Sequence, residues 1–160
     1  MQHDQVIRGA VSGPALAVLE QLCDGVIGSR ERTEEISRGG REYMERWWLC
    51  HGASIPKPFK GYRTGDPLRW SKFASELNNV FIHRYSAGDR EGPHGHPWPS
   101  ASLIIRGTLV EGIFDKTEQV DERTLYPGDA VIRSSAAATH AILSVTPGTV
   151  TAFATGRKVN

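Results

Sequence analysis

The sequence has few cysteines and no excess of either charge. Its two cysteines, Cys23 and Cys50, form no CxxC pair, so two reduced thiols are expected rather than a disulfide framework or a thiolate metal site. The 19 Lys and Arg residues nearly balance the 18 Asp and Glu residues, and the net charge is +1. A surface that binds nucleic acid requires a basic excess, so nucleic acid is not an expected partner.

Long apolar runs are also missing. The most apolar early stretch, ALAVLEQLCDGVIG, is interrupted by Glu20 and Asp24 and is too short to cross a bilayer. The N-terminus carries Asp4 and lacks the basic and then apolar regions of a secretory signal. We therefore expect a cytoplasmic protein with no membrane partner.

The first half of the chain reads as mostly helical. Apolar residues recur at three- and four-residue steps over residues 14–27, which predicts an amphipathic helix. A similar pattern predicts a second helix over residues 31–49, although Gly39 and Gly40 interrupt it. A Pro- and Gly-rich loop follows, and then a third short helix over residues 67–77.

After Asn79 the sequence changes to short runs of β-branched, aromatic and aliphatic residues between turn signals. These runs predict strands at residues 80–85, 102–106, 108–114, 122–126, 130–133, 140–145 and 150–155. The expected fold class is α+β and mainly β, in a single domain spanning residues 1–160. A mostly helical segment, residues 1–79, is expected to pack on a β-barrel formed by residues 80–160.

Three histidines lie in this β-region. His94 and His96 are one residue apart in GDREGPHGHPW, and His140 begins a late strand. Side chains alternate along a strand, so His94 and His96 share a face, and a third imidazole from a distant strand would complete a facial set of metal ligands. The alternative is a polar loop, because prolines and glycines surround the pair.

The spacing around these histidines resembles the cupin family. Gly88, His94, His96 and Gly107 match its first motif, and the turn glycine Gly128 followed by His140 matches the second. The resemblance covers residues 80–155 and implies a jelly-roll barrel with a metal site. The stretch HGHPWPSASLIIRGTLVEG is similar, more narrowly, to small phage and bacterial cupin proteins with a His-x-His-Pro-Trp motif, which carry no assigned activity.

The sequence departs from the cupin pattern at two positions. Ser100 stands where the motif has a ligand glutamate, and Ser144 stands where an asparagine is often found. The resemblance thus implies a three-histidine site of His94, His96 and His140, similar to that of cysteine dioxygenase-type cupins, with Fe(II) as the first expected metal. The ligand set alone does not separate Fe from Zn, Ni or Mn.

Other residues near the histidines are candidates for proton transfer or substrate binding. Glu111 matches the glutamate of the narrower pattern and is a candidate fourth ligand, general base or hydrogen-bond acceptor for a ligand histidine, with a solvated strand residue as the alternative. Tyr85 and Tyr126 are candidate catalytic residues, although either tyrosine would be inert if its strand turned it outward. Asp129 is expected to bind backbone amides of its turn.

Three functions are compatible with these residues. The first is a mononuclear Fe(II) dioxygenase-type oxidoreductase that acts on a small polar molecule. The second is a metal-dependent isomerase, lyase or hydrolase, in which the ion acts as a Lewis acid. The third is a small-molecule-binding or sensor module without turnover, since a fold does not fix a function. A homodimer is possible, because the exposed edge strand of a small barrel can pair with the edge strand of a second copy.

Overall fold

The computed structural model describes residues 5–29, 34–38, 41–51, 79–87, 93–95, 100–133 and 139–155. Within these ranges the chain is mainly β, with one helix. The elements in chain order are β1 (Gln5–Ile7), α1 (Gly13–Ser29), β2 (Glu34–Arg38), β3 (Arg41–His51), β4 (Asn79–Tyr85), β5 (Ser100–Arg106), β6 (Leu109–Asp115), β7 (Glu118–Leu125), β8 (Ala130–Arg133), β9 (Thr139–Val145) and β10 (Thr149–Thr155).

The strands form two antiparallel sheets that face each other, as in a jelly roll. The large sheet has seven strands in the order β1-β8-β5-β10-β4-β3-β2, and the small sheet has three in the order β7-β6-β9. Ile104 and Val131 of the large sheet share a buried cluster with Leu109 and Leu125 of the small one. The space between the sheets is therefore apolar at this end, and His140 lies elsewhere in the small sheet, on β9.

Successive side chains of the large sheet enter two different buried clusters, one on each face of the sheet. On β5, Leu103 and Ile105 belong to the main apolar core, which also contains the buried residues of α1. The intervening Ile104 belongs to the cluster between the two sheets. This alternation follows from the two-residue period of a strand, and it assigns α1 to the outer face of the large sheet.

Helix α1 confirms the helix predicted over residues 14–27. Its buried residues Leu19, Cys23 and Val26 follow one another at steps of four and three and pack against the large sheet. Burial raises the pKa of the Cys23 thiol to about 12, so this cysteine is an unreactive core residue. In the described part of the chain, no helix combines the length and the apolar character needed to span a membrane.

The helix predicted over residues 31–49 is wrong. The structure has β2 and β3 there, paired with each other, and β3 also pairs with β4. Trp47 is buried at 3% exposure whereas its neighbour Trp48 is 38% exposed, as expected when adjacent side chains point to opposite faces of a strand. Pairing with β4, which is distant in sequence, outweighed a local pattern that was compatible with a helix. The described residues before Asn79 thus add three strands to the large sheet beside the helix α1.

All seven strands predicted after Asn79 are present, with boundaries shifted by a few residues. The turn glycines also behave as expected: Gly107 and Gly128 have φ of 82° and 92°, a region that favours glycine. A Cβ on Gly128 would lie 2.2 Å from the carbonyl oxygen of Val11, so no larger residue fits. The loop and the third helix predicted before Asn79 lie outside the described residues.

Candidate metal centre

His94 and His140 are neighbours across a short antiparallel bridge. The backbone N–H of each donates to the carbonyl oxygen of the other, at 2.9 Å in both cases. Residues directly opposite in such a pair project to the same face, so the two imidazoles lie side by side at the β9 edge of the small sheet. Two of the three predicted ligands are thus brought together from positions 46 residues apart in sequence (140 minus 94).

The spacing of the two rings fits ligation of one ion. Their centroids are 4.7 Å apart and their planes are inclined by 47°. With a metal–nitrogen distance of about 2.1 Å, two imidazoles bound at roughly a right angle would have centroids about 4.6 Å apart. The third predicted ligand, His96, lies outside the described residues, and within the described ones no group of three His, Cys, Asp or Glu side chains is arranged to hold a metal.

Glu111 is the buried acid of this region, at 1% exposure on β6. His140 Nδ1 lies 2.7 Å from Glu111 Oε1, and Arg133 Nη2 donates to the same oxygen. Arg123 donates to Oε2 through Nε and Nη2, both at 2.8 Å. One carboxylate therefore faces two guanidinium groups and an imidazole.

The surroundings lower the pKa of both Glu111 and His140, which favours an ionised carboxylate and a neutral imidazole. Burial alone would raise the pKa of Glu111, but Arg133, the hydrogen bond with His140 and Arg123 together hold it well below its ordinary value. Burial lowers the pKa of His140, and the nearby charge of Arg133 lowers it further, although Glu111 acts in the opposite direction. A neutral imidazole is the form that binds a metal.

Ser100, which replaces the expected ligand glutamate, lies on the large sheet. It is fully buried, and its Oγ has no hydrogen-bond partner among the described residues. Ser100 pairs across the strands with Arg133, whose Nη1 donates to Ser102 Oγ at 3.2 Å. Position 100 thus carries no carboxylate, and the buried carboxylate near His140 belongs to Glu111 of the small sheet, where two arginines hold it.

A second group of polar side chains lies on β3 and β4. Arg46 Nε donates to His83 Nε2 at 3.0 Å, and the Tyr85 hydroxyl lies 3.4 Å from His83 Nδ1. The His83 ring stacks on Phe153 at 5.1 Å, and the Arg46 guanidinium lies 4.8 Å from the centre of the Phe81 ring. Tyr85, a predicted catalytic residue, is thus buried and connected to a histidine and an arginine.

Two other predicted residues lie in the turn between β7 and β8. Tyr126 follows β7 and is 54% exposed. Asp129 binds an amide of its own turn as predicted: Oδ2 accepts from the backbone N–H of Tyr126 at 2.9 Å. Its Oδ1 accepts from the backbone N–H of Gly9, between β1 and α1, also at 2.9 Å. Burial raises the pKa of Asp129, but these two bonds and Arg8 outweigh it and lower the pKa overall.

Two residues of the site were missed by the sequence reasoning. Arg46 lies in the segment that was predicted as helical, so its place beside His83 was not visible. Arg123 pairs directly with Glu111 across the β6–β7 hairpin. The turn between β6 and β7 could have indicated this second pairing, because a hairpin turn fixes which residues of its strands are opposite.

No protein-family model matches the sequence, and no curated protein does either. Solved structures resemble the fold. The epimerase SnoN in complex with Fe3+, α-ketoglutarate and nogalamycin RO has a TM-score of 0.66 at 9% identity, covering 96% of this chain and 78% of its own. A Pseudomonas putida prolyl-4-hydroxylase has a TM-score of 0.64 at 14% identity, covering 99% and 94%. KdgF from Halomonas sp. has a TM-score of 0.52 at 14% identity, covering 82% and 92%.

At these identities the likeness establishes the fold alone. The two facing antiparallel sheets and these matches are consistent with the jelly roll expected from the cupin resemblance. The narrower likeness to small phage and bacterial proteins with a His-x-His-Pro-Trp motif stays a prediction.

Proposed function

We propose that this chain is a metal-dependent jelly-roll enzyme, an Fe(II) oxygenase of the dioxygenase type that acts on a small anionic molecule. His94, His96 and His140 are the proposed ligands. The observation that carries the proposal is the His94–His140 bridge, which places two imidazoles 4.7 Å apart beside a buried carboxylate.

The donor set fits a divalent transition metal. Neutral imidazoles are ligands for Fe, Zn, Ni and Mn, and His96, one residue after Gly95, would project to the same face as His94 if the extended backbone continues. When bound, Fe(II) would supply the redox chemistry through which dioxygen is used. SnoN, which shares the fold, binds Fe3+ and α-ketoglutarate in its complex.

The charges favour an anionic substrate. Three imidazole ligands contribute no negative charge, and the buried carboxylate of Glu111 is already engaged by Arg123 and Arg133. A divalent ion would therefore keep its charge rather than being neutralised by a ligand carboxylate. A small carboxylate is therefore the preferred substrate class, since it would compensate the positive charge on binding.

Tyr85 is the proposed proton-handling residue on the large sheet. Because Arg46 donates to His83 Nε2, the proton of a neutral His83 resides on Nδ1, which faces the Tyr85 hydroxyl. The Tyr85 oxygen then accepts a hydrogen bond from His83. The hydroxyl proton of Tyr85 is therefore left for a partner other than His83. Tyr126, the other predicted catalytic residue, lies on an exposed turn and has the weaker support.

The decisive experiment is metal analysis followed by an oxygen assay. Protein purified without chelator is analysed for metals, loaded anaerobically with Fe(II) and tested for oxygen uptake with small carboxylates, beginning with α-ketoglutarate. Stoichiometric iron and substrate-dependent uptake would support the proposal. Zinc or nickel without uptake would point to Lewis-acid chemistry instead, and absence of any metal affinity would overturn both enzymatic readings.

Matched variants assign the ligands. His94→Ala, His96→Ala and His140→Ala should each abolish stoichiometric metal binding in an anaerobic titration. Ser144→Ala, on the same strand as His140 but exposed, should leave it unchanged. Retention of full affinity in the His140 variant would contradict the proposed ligand set.

A further inference from the structure

We propose that Glu111 is a positioning residue, which holds His140 with its proton on Nδ1 so that Nε2 is the nitrogen that binds the metal. This inference rests on the metal centre proposed above. It goes beyond that proposal by assigning a role to a residue that is neither a ligand nor a proton acceptor.

The contacts of Glu111 exclude those two roles. Oε1 accepts from Arg133 and Oε2 accepts twice from Arg123, with His140 on Oε1 as well. Turning either oxygen toward a metal or a substrate would break charge-assisted hydrogen bonds inside a region where Glu111 is 1% exposed. A carboxylate held in this way stays in one rotamer.

The same contacts fix the tautomer of His140. A carboxylate has only acceptors, so the 2.7 Å contact with His140 requires a proton on Nδ1. In a neutral imidazole, Nε2 then carries the lone pair. Hydrogen bonding of one ring nitrogen to a carboxylate is a recurring way in which proteins orient a ligand histidine and raise its basicity.

The support for Glu111 comes from both sheets. Arg123 reaches it from β7, where it is directly opposite across the hairpin. Arg133 reaches it from β8 of the large sheet and also donates to Ser102 on β5. Glu111 therefore connects the ligand histidine to the framework of the whole jelly roll, which fixes the imidazole before any metal arrives.

The first test uses the unmodified chain without metal. In a long-range ¹H–¹⁵N spectrum, the His140 signals, assigned by their disappearance in His140→Gln, should show a protonated Nδ1 and an unprotonated Nε2. A spectrum with the proton on Nε2 would overturn the inference. This readout needs neither bound metal nor activity, so its result does not depend on the proposed function.

The second test compares the metal affinity of variants at two glutamates, one buried and one exposed. Glu111→Gln leaves one acceptor oxygen for three donor groups, and an amide N–H₂ facing Nδ1 would favour the tautomer with Nε2 protonated. Anaerobic Co(II) titration should then show affinity lowered about 10- to 100-fold, with an altered visible spectrum of the bound ion. Glu122→Gln, an exposed neighbour on β7, should match the unmodified chain.

The outcomes separate the two proposals. Metal binding by the unmodified chain with the same affinity and spectrum in Glu111→Gln would overturn the positioning role and leave the metal centre intact. Failure of the unmodified chain to bind any metal would overturn the metal centre, and the NMR tautomer would still decide whether Glu111 orients His140. If Glu111→Gln does not fold, the NMR measurement decides alone.

Discussion

The two faces of the large sheet are built from the same strands but have opposite chemistry. The outer face is apolar: Leu103, Ile105 and Ile82 belong to the buried core that also contains the apolar residues of α1. The inner face carries His83 and Arg133, whose side chains are buried yet hydrogen-bonded. The outer face stabilises by area removed from water, whereas the inner face combines an apolar end, with Ile104 and Val131, and buried charged groups that stabilise only while they stay paired. Mutations on the outer face should therefore lower stability through lost apolar burial, whereas mutations of the charged residues on the inner face should lower it by leaving buried charges unpaired.

The largest expected effect is on the paired charges. Glu111→Ala leaves Arg123 and Arg133 without their shared counter-ion in a buried region. Removing one partner of a buried charge network costs about 3–5 kcal/mol of unfolding free energy. Urea denaturation measures the loss, and Glu122→Ala should change the free energy by less than about 0.5 kcal/mol. Equal effects of the two variants would show that the buried contacts of Glu111 with its arginines do not stabilise the fold.

A deletion on the outer face should destabilise without touching the metal site. Leu103 is fully buried in the core beneath α1, so Leu103→Ala should cost roughly 2–5 kcal/mol through lost burial and the cavity that remains. Metal affinity measured by titration at a temperature where the variant is folded should be unchanged. A parallel loss of affinity would show that the two faces are coupled.

Acid should weaken the contact of Glu111 with Arg133, which lies on the inner face of the large sheet. The pKa of Glu111 is lower in the folded chain than its ordinary value of 4.5, so its contribution to stability is complete above that value and declines as the pH falls below it. The unfolding free energy measured by urea from pH 7 to about 3 should decrease, and Glu111→Gln should decrease less steeply. Identical pH profiles would mean that Glu111 is not stabilised by its arginines.

The smallest expected effect is at the surface. Arg84 on the outer side of β4 pairs with Glu45 at 2.7 Å, and its side chain is 37% exposed. Exposed pairs contribute about 0.2–1 kcal/mol, so Arg84→Gln should change the unfolding free energy within that range, and the difference should shrink in high salt. A cost as large as that of Glu111→Ala would show that burial does not govern the strength of these pairs.

Local signals were sufficient for the second half of the fold. The strands after Asn79, the turn glycines Gly107 and Gly128 and the role of Asp129 all follow from two-residue alternation and turn chemistry. The segment over residues 31–49 was misread because its apolar spacing is compatible with a helix. Only the pairing of β3 with β4 resolves that ambiguity, and no local pattern records it.

By itself, the sequence predicted the strands and turns after Asn79 and indicated three candidate ligands, because residue types and spacing carry that information. It left the role of Glu111 open among ligand, base and hydrogen-bond acceptor. The tertiary structure shows Glu111 in contact with His140 and two arginines, an arrangement that depends on which groups lie across the strands. Arg123, Arg133 and His140 approach Glu111 from three different strands. The charge state and orientation of a buried carboxylate are set by such neighbours, and only folding brings them together.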